Sequence, residues 1–304
     1  MRNAFANAMT ALSKERSDVC LLSGDIGNRM FDHFKENAAS RFINCGIAEA
    51  NMMSMAAGMA LSGLRPVVYT IAPFTTTRCL EQIRTGVAYH EASVVIVGTG
   101  SGLSYAELGS THHSLEDIAV LRSIPNLQIC APVDSIELVT QLREAIQTGK
   151  PTYIRIGKKG EPDLLSGCLH VGIGRANIIT PGEDFILLGI GPIINEALRA
   201  REILKTHGIN LCIASMSSIK PLDEPFLKSV ASDYKHWISL EEHHKSGGLG
   251  SALLEWISDN HKSSINLTRL GVEDHFIHML GGQSYARMHE RIDTKSIVDT
   301  VLKL

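Results

Sequence analysis

Short β-branched runs alternate with helix-periodic stretches along most of the chain, and this alternation limits the fold more than any other feature. Val19–Ser23, Arg41–Asn44, Pro66–Ile71, Val94–Gly98, Leu127–Ala131 and Thr152–Ile156 read as strands. Between them the sequence predicts helices over Asn3–Lys14, Ala48–Ser62, Thr75–Tyr89, Leu115–Ser123 and Ser135–Thr148. Such alternation specifies an α/β fold, a mostly parallel sheet with helices on both faces. Ligands of these sheets sit beyond the carboxyl ends of the strands, so the loops after the strands are where a site is expected. Near Gly157 the pattern breaks, because GKKGEPDLLSG is glycine-rich, charged and weakly apolar. It restarts with strands at Phe185–Gly189, Asn210–Ser215, Trp237–Leu240 and Ile265–Leu270. Helices are expected there at Ile193–His207, Glu224–Ser232, Leu249–Asn260 and Ser296–Leu302. The expected organisation is two α/β domains, residues 1–160 and 181–304, joined by a linker over 161–180; a chain of 304 residues is long enough for both.

Within the first domain, Cys45–Gly63 (CGIAEANMMSMAAGMALSG) places one carboxylate, Glu49, before a run that carries no charge from Asn51 to Leu61. A helix apolar on every side is a buried one. Glu49 then reads either as a first-turn acid favoured by the helix dipole or as a carboxylate poised, in poor solvent, to hold a proton. Phe74 follows a strand and a proline, and by residue type alone reads as a core aromatic. Gly98–His113 (GTGSGLSYAELGSTHH) is too long for a simple connection after a strand, which marks it as functional. It lacks GxGxxG spacing. His112 and His113 are adjacent and have no third ligand nearby, so no metal site is assigned to this chain.

Composition removes other classes. The 29 basic and 32 acidic residues balance to about −3, which argues against nucleic acid and anionic membrane as partners. No apolar run is long enough to cross a bilayer, and MRNAFANAMTALSKERSD reads as an amphipathic helix rather than a signal peptide. Cys20, Cys45, Cys79, Cys130, Cys168 and Cys212 are scattered without a CxxC pair, so free thiols and a cytoplasmic location are expected.

GIAEANMMSMAAGMAL followed by PVVYTIAPF, together with THHSLEDIAVLRSIPNLQICAPVDSIEL, resembles the transketolase group of thiamine-diphosphate enzymes. The likeness extends over most of the chain and corresponds to the C-terminal half of a full-length transketolase. The resemblance implies a pyrimidine-binding domain followed by a transketolase C-terminal-like domain, in the smaller subunit of an enzyme split into two chains. The implied activity is transfer of a two-carbon ketol unit from a ketose to an aldose or aldehyde. The same resemblance has Glu49 share a proton with the pyrimidine N1′ of thiamine diphosphate, Phe74 stack on that ring, and Asp25 and Ile26 lie beside the thiazolium. His112 is implied to sit near the reacting hydroxyl and carbonyl of the substrate. Lys158 stands where the family places a phosphate-binding arginine.

The chain departs from the family pattern at several positions. His113 replaces a glutamine, Leu108 an aspartate that contacts a sugar hydroxyl, and Gly100 a histidine that helps hold the sugar phosphate. GDIGNRM does not complete the GDG signature for Mg²⁺ and diphosphate. The resemblance therefore assigns Mg²⁺ and the diphosphate mainly to a larger partner subunit carrying that motif, in an α2β2 assembly acting on sugar phosphates. EEHHKSGGLGSALLEWI, late in the chain, is read as subunit packing. The alternatives are a 1-deoxyxylulose-phosphate synthase-like enzyme, the β subunit of a 2-oxoacid dehydrogenase, a non-catalytic assembly subunit, and a generic nucleotide-binding α/β protein. The THH…EDIA…RSIPN stretch favours the sugar enzymes.

Overall fold

The computed structural model describes residues 1–27, 29–158, 160–165, 172–262, 264–279 and 281–304. The first half of the chain runs α1 (Arg2–Glu15), β1 (Val19–Ser23), α2 (Asp32–Ala38), β2 (Phe42–Asn44), α3 (Glu49–Leu61), β3 (Arg65–Ile71), α4 (Ala72–Thr75), β4 (Val95–Thr99), α5 (Asp117–Arg122), β5 (Gln128–Cys130), α6 (Ser135–Thr148) and β6 (Thr152–Ile156). The second half runs β7 (Asn177–Thr180), β8 (Phe185–Gly189), α7 (Ile194–Lys205), β9 (Leu211–Ser215), β10 (Ser218–Lys220), α8 (Glu224–Asp233), β11 (His236–His244), α9 (Leu249–Asp259), β12 (Asn266–Val272), α10 (Gln283–His289) and α11 (Thr294–Val301).

These elements build two sheets flanked by helices, the α/β architecture expected. The first has seven strands in the order β10-β5-β6-β4-β3-β1-β2, the second five in the order β12-β11-β8-β9-β7. Among the described strands only β10 and β7 run antiparallel to their neighbours. Every residue of β1, β4 and β6 is buried, as strands covered on both faces require. Phe5, Leu12, Phe34, Leu138 and Leu142 cover one face of the first sheet, and Met52, Met53, Ala56, Ile83 and Ile118 belong to the core on the other. The latter cluster continues into the second domain through Met216, Leu227, Trp237 and Trp256. β10 follows β9 in sequence but closes the first sheet by pairing Ser218 with Cys130.

A buried ionic knot ties α5 to that sheet and to β11. Asp117 Oδ2 accepts from the Tyr153 hydroxyl at 2.7 Å and lies 3.1 Å from Arg155 Nε. Arg155 Nη2 also donates to the carbonyls of Ser114 (2.9 Å) and Glu242 (3.2 Å). The imidazole of His243, on β11, accepts from the Ala119 amide at 3.3 Å.

Two expectations need correction. The single helix over Thr75–Tyr89 is instead α4, a 3₁₀ turn at Thr77–Cys79 and a π-helix over Gln82–Ala88. The hydroxyls of Thr75 and Thr76 donate back to the Ala72 carbonyl, and that of Thr77 to Pro73, competing with the helical ladder where three threonines are adjacent. Second, α3 is not buried all round. Met52, Met53, Ala56 and Ala57 face the core, while Asn51, Ser54, Gly58 and Leu61 are exposed. Nothing in the sequence pattern marks α2, β7, β10 and α10, which are short; α2, for instance, buries only Phe34 and Ala38. Cys20, Cys45, Cys79, Cys130 and Cys212 are free thiols, and Cys168 lies outside the described residues.

Glu137 of α6 reaches across to the second domain. Its carboxylate accepts from the Val133 amide (2.8 Å), the Ser215 hydroxyl (3.1 Å) and Asn177 Nδ2 (3.3 Å). Burial pushes its pKa up from 4.5 to about 7. Between those values the folded state holds more protons than the unfolded one, so this group makes stability fall as pH rises through the window. His243 acts in the opposite sense, since burial lowers its pKa from 6.5 to about 4. Comparison with a variant therefore isolates Glu137: Glu137→Gln should show a shallower fall, or a steeper rise, of melting temperature between pH 4.5 and 7 than the parent. Parallel thermal-melt curves for the two proteins across that range would show that Glu137 does not titrate there.

Candidate active site

In the first sheet β6, β4, β3 and β1 are consecutive neighbours, so their carboxyl ends lie side by side. Lys158 follows β6, the loop from Gly100 to His113 follows β4, Phe74 follows β3, and Asp25 and Ile26 follow β1. Glu49 opens α3, reached from β2 next to β1.

Glu49 is 3% exposed. Gly24, at the end of β1, lets its stem approach the strand: a Cβ at residue 24 would lie 3.5 Å from Glu49 Cγ and 2.9 Å from Thr70 Oγ1. Thr70 Oγ1 is itself buried without a hydrogen-bond partner. Arg78 Nη1 donates to Glu49 Oε2 at 2.7 Å, and the same guanidinium lies over the Phe74 ring, 4.0 Å from its centroid. The ring of His112 packs edgewise against Phe74 at 5.3 Å and against Tyr105 at 6.1 Å. Lys158 Nζ in turn sits 4.7 Å from the centroid of Tyr105 and 2.6 Å from a carboxylate oxygen of Glu107. Glu49, Arg78, Phe74, His112, Tyr105 and Lys158 thus form one continuous line of contacts along the strand ends.

Other expected residues stand apart from that line. Asp25 accepts from Asn44 Nδ2 at 2.9 Å, and the Ile26 carbonyl accepts from Ser23 Oγ at 2.9 Å, so their hydrogen bonds run along the β1 edge. His113 is buried, with Nε2 3.3 Å from the Ala106 carbonyl. Leu108 is 50% exposed.

Sequence reasoning missed Arg78 and Tyr105. The signal for Arg78 was its place four residues after Phe74, the spacing of neighbours on a helical turn. Nothing in the sequence marks Tyr105; in the structure Gly100, at φ +77°, lies where any Cβ would overlap the Tyr105 ring. The tyrosine fills the space that a side chain at residue 100 would need.

The His112 ring is held below the ordinary histidine pKa, first by burial and then by the neighbouring charges of His113 and Arg78. It is therefore neutral at neutral pH, offering one nitrogen as donor and one as acceptor. Its Nδ1 lies 2.9 Å from Thr111 Oγ1.

A buried carboxylate at a helix start, an aromatic ring and a histidine thus lie across neighbouring strand ends of a mostly parallel sheet, the arrangement that the resemblance to transketolases implies. Comparison with known proteins agrees. Residues 1–161 match the family model described as "Transketolase, pyrimidine binding domain", and 174–289 match "Transketolase, C-terminal domain". The chain is 31% identical to one of the subunits of the apulose-4-phosphate transketolase of Phocaeicola vulgatus, over 99% of this chain and 96% of that one. It is 32% identical to the 1-deoxy-D-xylulose-5-phosphate synthase of Halothermothrix orenii over 99% of its own length but 47% of that protein. A solved structure described as "Split gene transketolase, inactive beta4 tetramer" superposes with a TM-score of 0.88 at 29% identity, covering 99% of this chain and 96% of that one. The chain belongs to the transketolase family.

The family implies thiamine diphosphate, and the residues present suit one end of it. A buried carboxylate, an aromatic face and an unpartnered buried hydroxyl (Thr70) suit a polar heteroaromatic ring. Among the described residues no group of three His, Cys, Asp or Glu side chains is placed to hold a metal ion. Among the same residues no helix is long and apolar enough to cross a membrane.

The His112 environment can be checked without substrate. In an NMR titration its ring should show a midpoint below 6.5, and Arg78→Gln should move that midpoint upward by removing one of the charges that depress it. A midpoint unchanged by the substitution would separate Arg78 from His112.

Proposed function

We propose that this chain is the smaller subunit of a two-chain transketolase that moves a two-carbon ketol unit from a ketose to an aldose or aldehyde. The observation that carries the reading is the buried Glu49 at the head of α3, linked through Arg78 to Phe74 and so to His112. When bound, thiamine diphosphate supplies the nucleophilic ring carbon and the electron sink that ketol transfer requires. This chain would hold the pyrimidine end. Glu49 would share a proton with a ring nitrogen through its carboxylate, which is general acid–base work. Phe74 offers its face to the ring, and Arg78 has to move for that face to be used; the Arg78 side chain is 43% exposed, so it has room to do so. Asp25 and Ile26 bound the neighbouring edge at the end of β1. His112, neutral and adjustable as donor or acceptor, holds the oxygens of the substrate as charge develops on them. Lys158 supplies a positive charge for an anionic group at the far end of the sugar, and the name of the relative from Phocaeicola vulgatus supports a sugar phosphate there.

The metal and the diphosphate fall to a larger partner subunit, in an α2β2 assembly in the cytoplasm. The outward side of α3 supports such an interface: Asn51, Ser54 and Gly58 are small and uncharged, and Ile47 beside them is 82% exposed. A second reading, a 1-deoxyxylulose-phosphate synthase-like enzyme, draws on the relative from Halothermothrix orenii; formation of 1-deoxy-D-xylulose 5-phosphate by the complex would distinguish it.

Co-expression with the larger subunit, followed by a screen of ketose donors and aldehyde acceptors, tests the assignment. In the complex Glu49→Gln should lower turnover by about 10²–10⁴-fold while the fold is kept. Near-parental turnover by that variant would remove Glu49 from the chemistry. The chain alone should bind thiamine diphosphate and Mg²⁺ more weakly than micromolar in isothermal titration, since the charged end of the cofactor lacks its hard oxygen ligands here. Tight binding, or ketol transfer by the single chain, would refute the division of the site between two chains.

A further inference from the structure

The loop that carries His112 is fastened from the second domain, at both of its necks. Ser114 N donates to the Gly102 carbonyl at 3.0 Å, pinching residues 102–114 into a closed loop. At the first neck, Glu242 of β11 accepts from the Leu103 amide at 3.1 Å. Gly102, at φ +60°, has no room for a Cβ, because one would overlap the Glu242 side chain. At the second neck the His244 amide donates to the Leu115 carbonyl at 2.8 Å, and Arg155 joins the carbonyls of Ser114 and Glu242. Near the tip, Ser110 Oγ donates to the Ile277 carbonyl at 3.1 Å. The Glu242 carboxylate is fixed from behind: Gln283 Nε2 donates to it at 3.0 Å, Arg287 Nε pairs with it, and Arg287 Nη1 reaches Glu196 at 3.1 Å. A buried carboxylate held on one side by a guanidinium and an amide has few alternative positions. Its remaining contact is the backbone of the His112 loop.

We infer that Glu242 is a positioning residue for ketol transfer, setting the loop so that the His112 ring meets Phe74 and Tyr105 where substrate binds. The inference rests on the proposed role of His112 in substrate binding. It gives the second domain a part in the reaction although none of its residues enters the line of site contacts. A carboxylate is suited to this place because it accepts the loop amide and the guanidinium at once; loss of either hold lets the neck drift, and displacement of about 1 Å costs on the order of a hundredfold in rate.

The test uses the two-chain complex. Glu242→Ala should lower kcat/KM by about a hundredfold, and Glu242→Gln, whose single acceptor oxygen cannot serve the Leu103 amide and the Arg287 guanidinium at once, should lose a comparable amount. In a His112→Ala background Glu242→Ala should have little further effect, because a residue acting through another is non-additive with it. Multiplicative losses in the double variant would overturn the inference, since a general destabilisation combines that way. Amide exchange supplies a second readout that does not depend on activity: in Glu242→Ala the Leu103 amide should exchange faster while the strands β1 and β4 keep their protection. Unchanged exchange at Leu103 would overturn the inference by itself. Absence of ketol transfer by the parent complex would instead overturn the functional reading beneath it.

Discussion

One buried carboxylate orders the ionic knot at which the two domains meet. Asp117 opens α5, and its Oδ2 takes both the Tyr153 hydroxyl and the Arg155 guanidinium in a setting from which water is excluded. A buried pair of this kind adds little net stability compared with well-packed apolar residues, but removing one partner leaves a charge stranded, at a cost of about 3–5 kcal/mol. Its effect is geometrical. Arg155 touches α5, the neck of the His112 loop and β11 with a single planar group, so these three segments have one mutual arrangement. Lysine would not serve there, having no rigid fork of donors.

Much of this architecture was legible in the sequence because the central strands are buried on both faces and are therefore rich in β-branched and other apolar residues. The six strands of the first half lie within one residue of where β-branched runs place them. What escaped notice was polar or brief. β7 and β10 are edge strands of 4 and 3 residues, too short for NIIT or SIK to show an alternating pattern. The helix after Phe74 was drawn too long because its apolar period is sound; three threonine hydroxyls turned back on the main chain decide the matter, and periodicity does not see them.

The site was legible in part, and the reason is again physical. Glu49 announces itself by being the one charge before an uncharged helix. Arg78 does not, since an arginine among polar residues resembles any surface arginine until its guanidinium is found between a carboxylate and a ring. Gly100 and Tyr105 show how a departure from a family pattern reads differently in three dimensions. In sequence the glycine is a missing histidine; in the fold it is the gap that admits a tyrosine, and that tyrosine connects His112 to Lys158. Two separate oddities become one exchange of side chains.

β10 carries a consequence for how this polypeptide can be divided. Its three residues belong by sequence to the second half and by hydrogen bonding to the first sheet. Cutting the chain near residue 160 would strip β5 of that neighbour and leave a row of open amides and carbonyls beside an apolar core, the kind of bare edge that recruits a strand from another molecule. The two halves therefore share a border as well as part of one apolar cluster. Shuffling either one into a chimera would require carrying residues 218–220 with the first half, or capping the edge they now close.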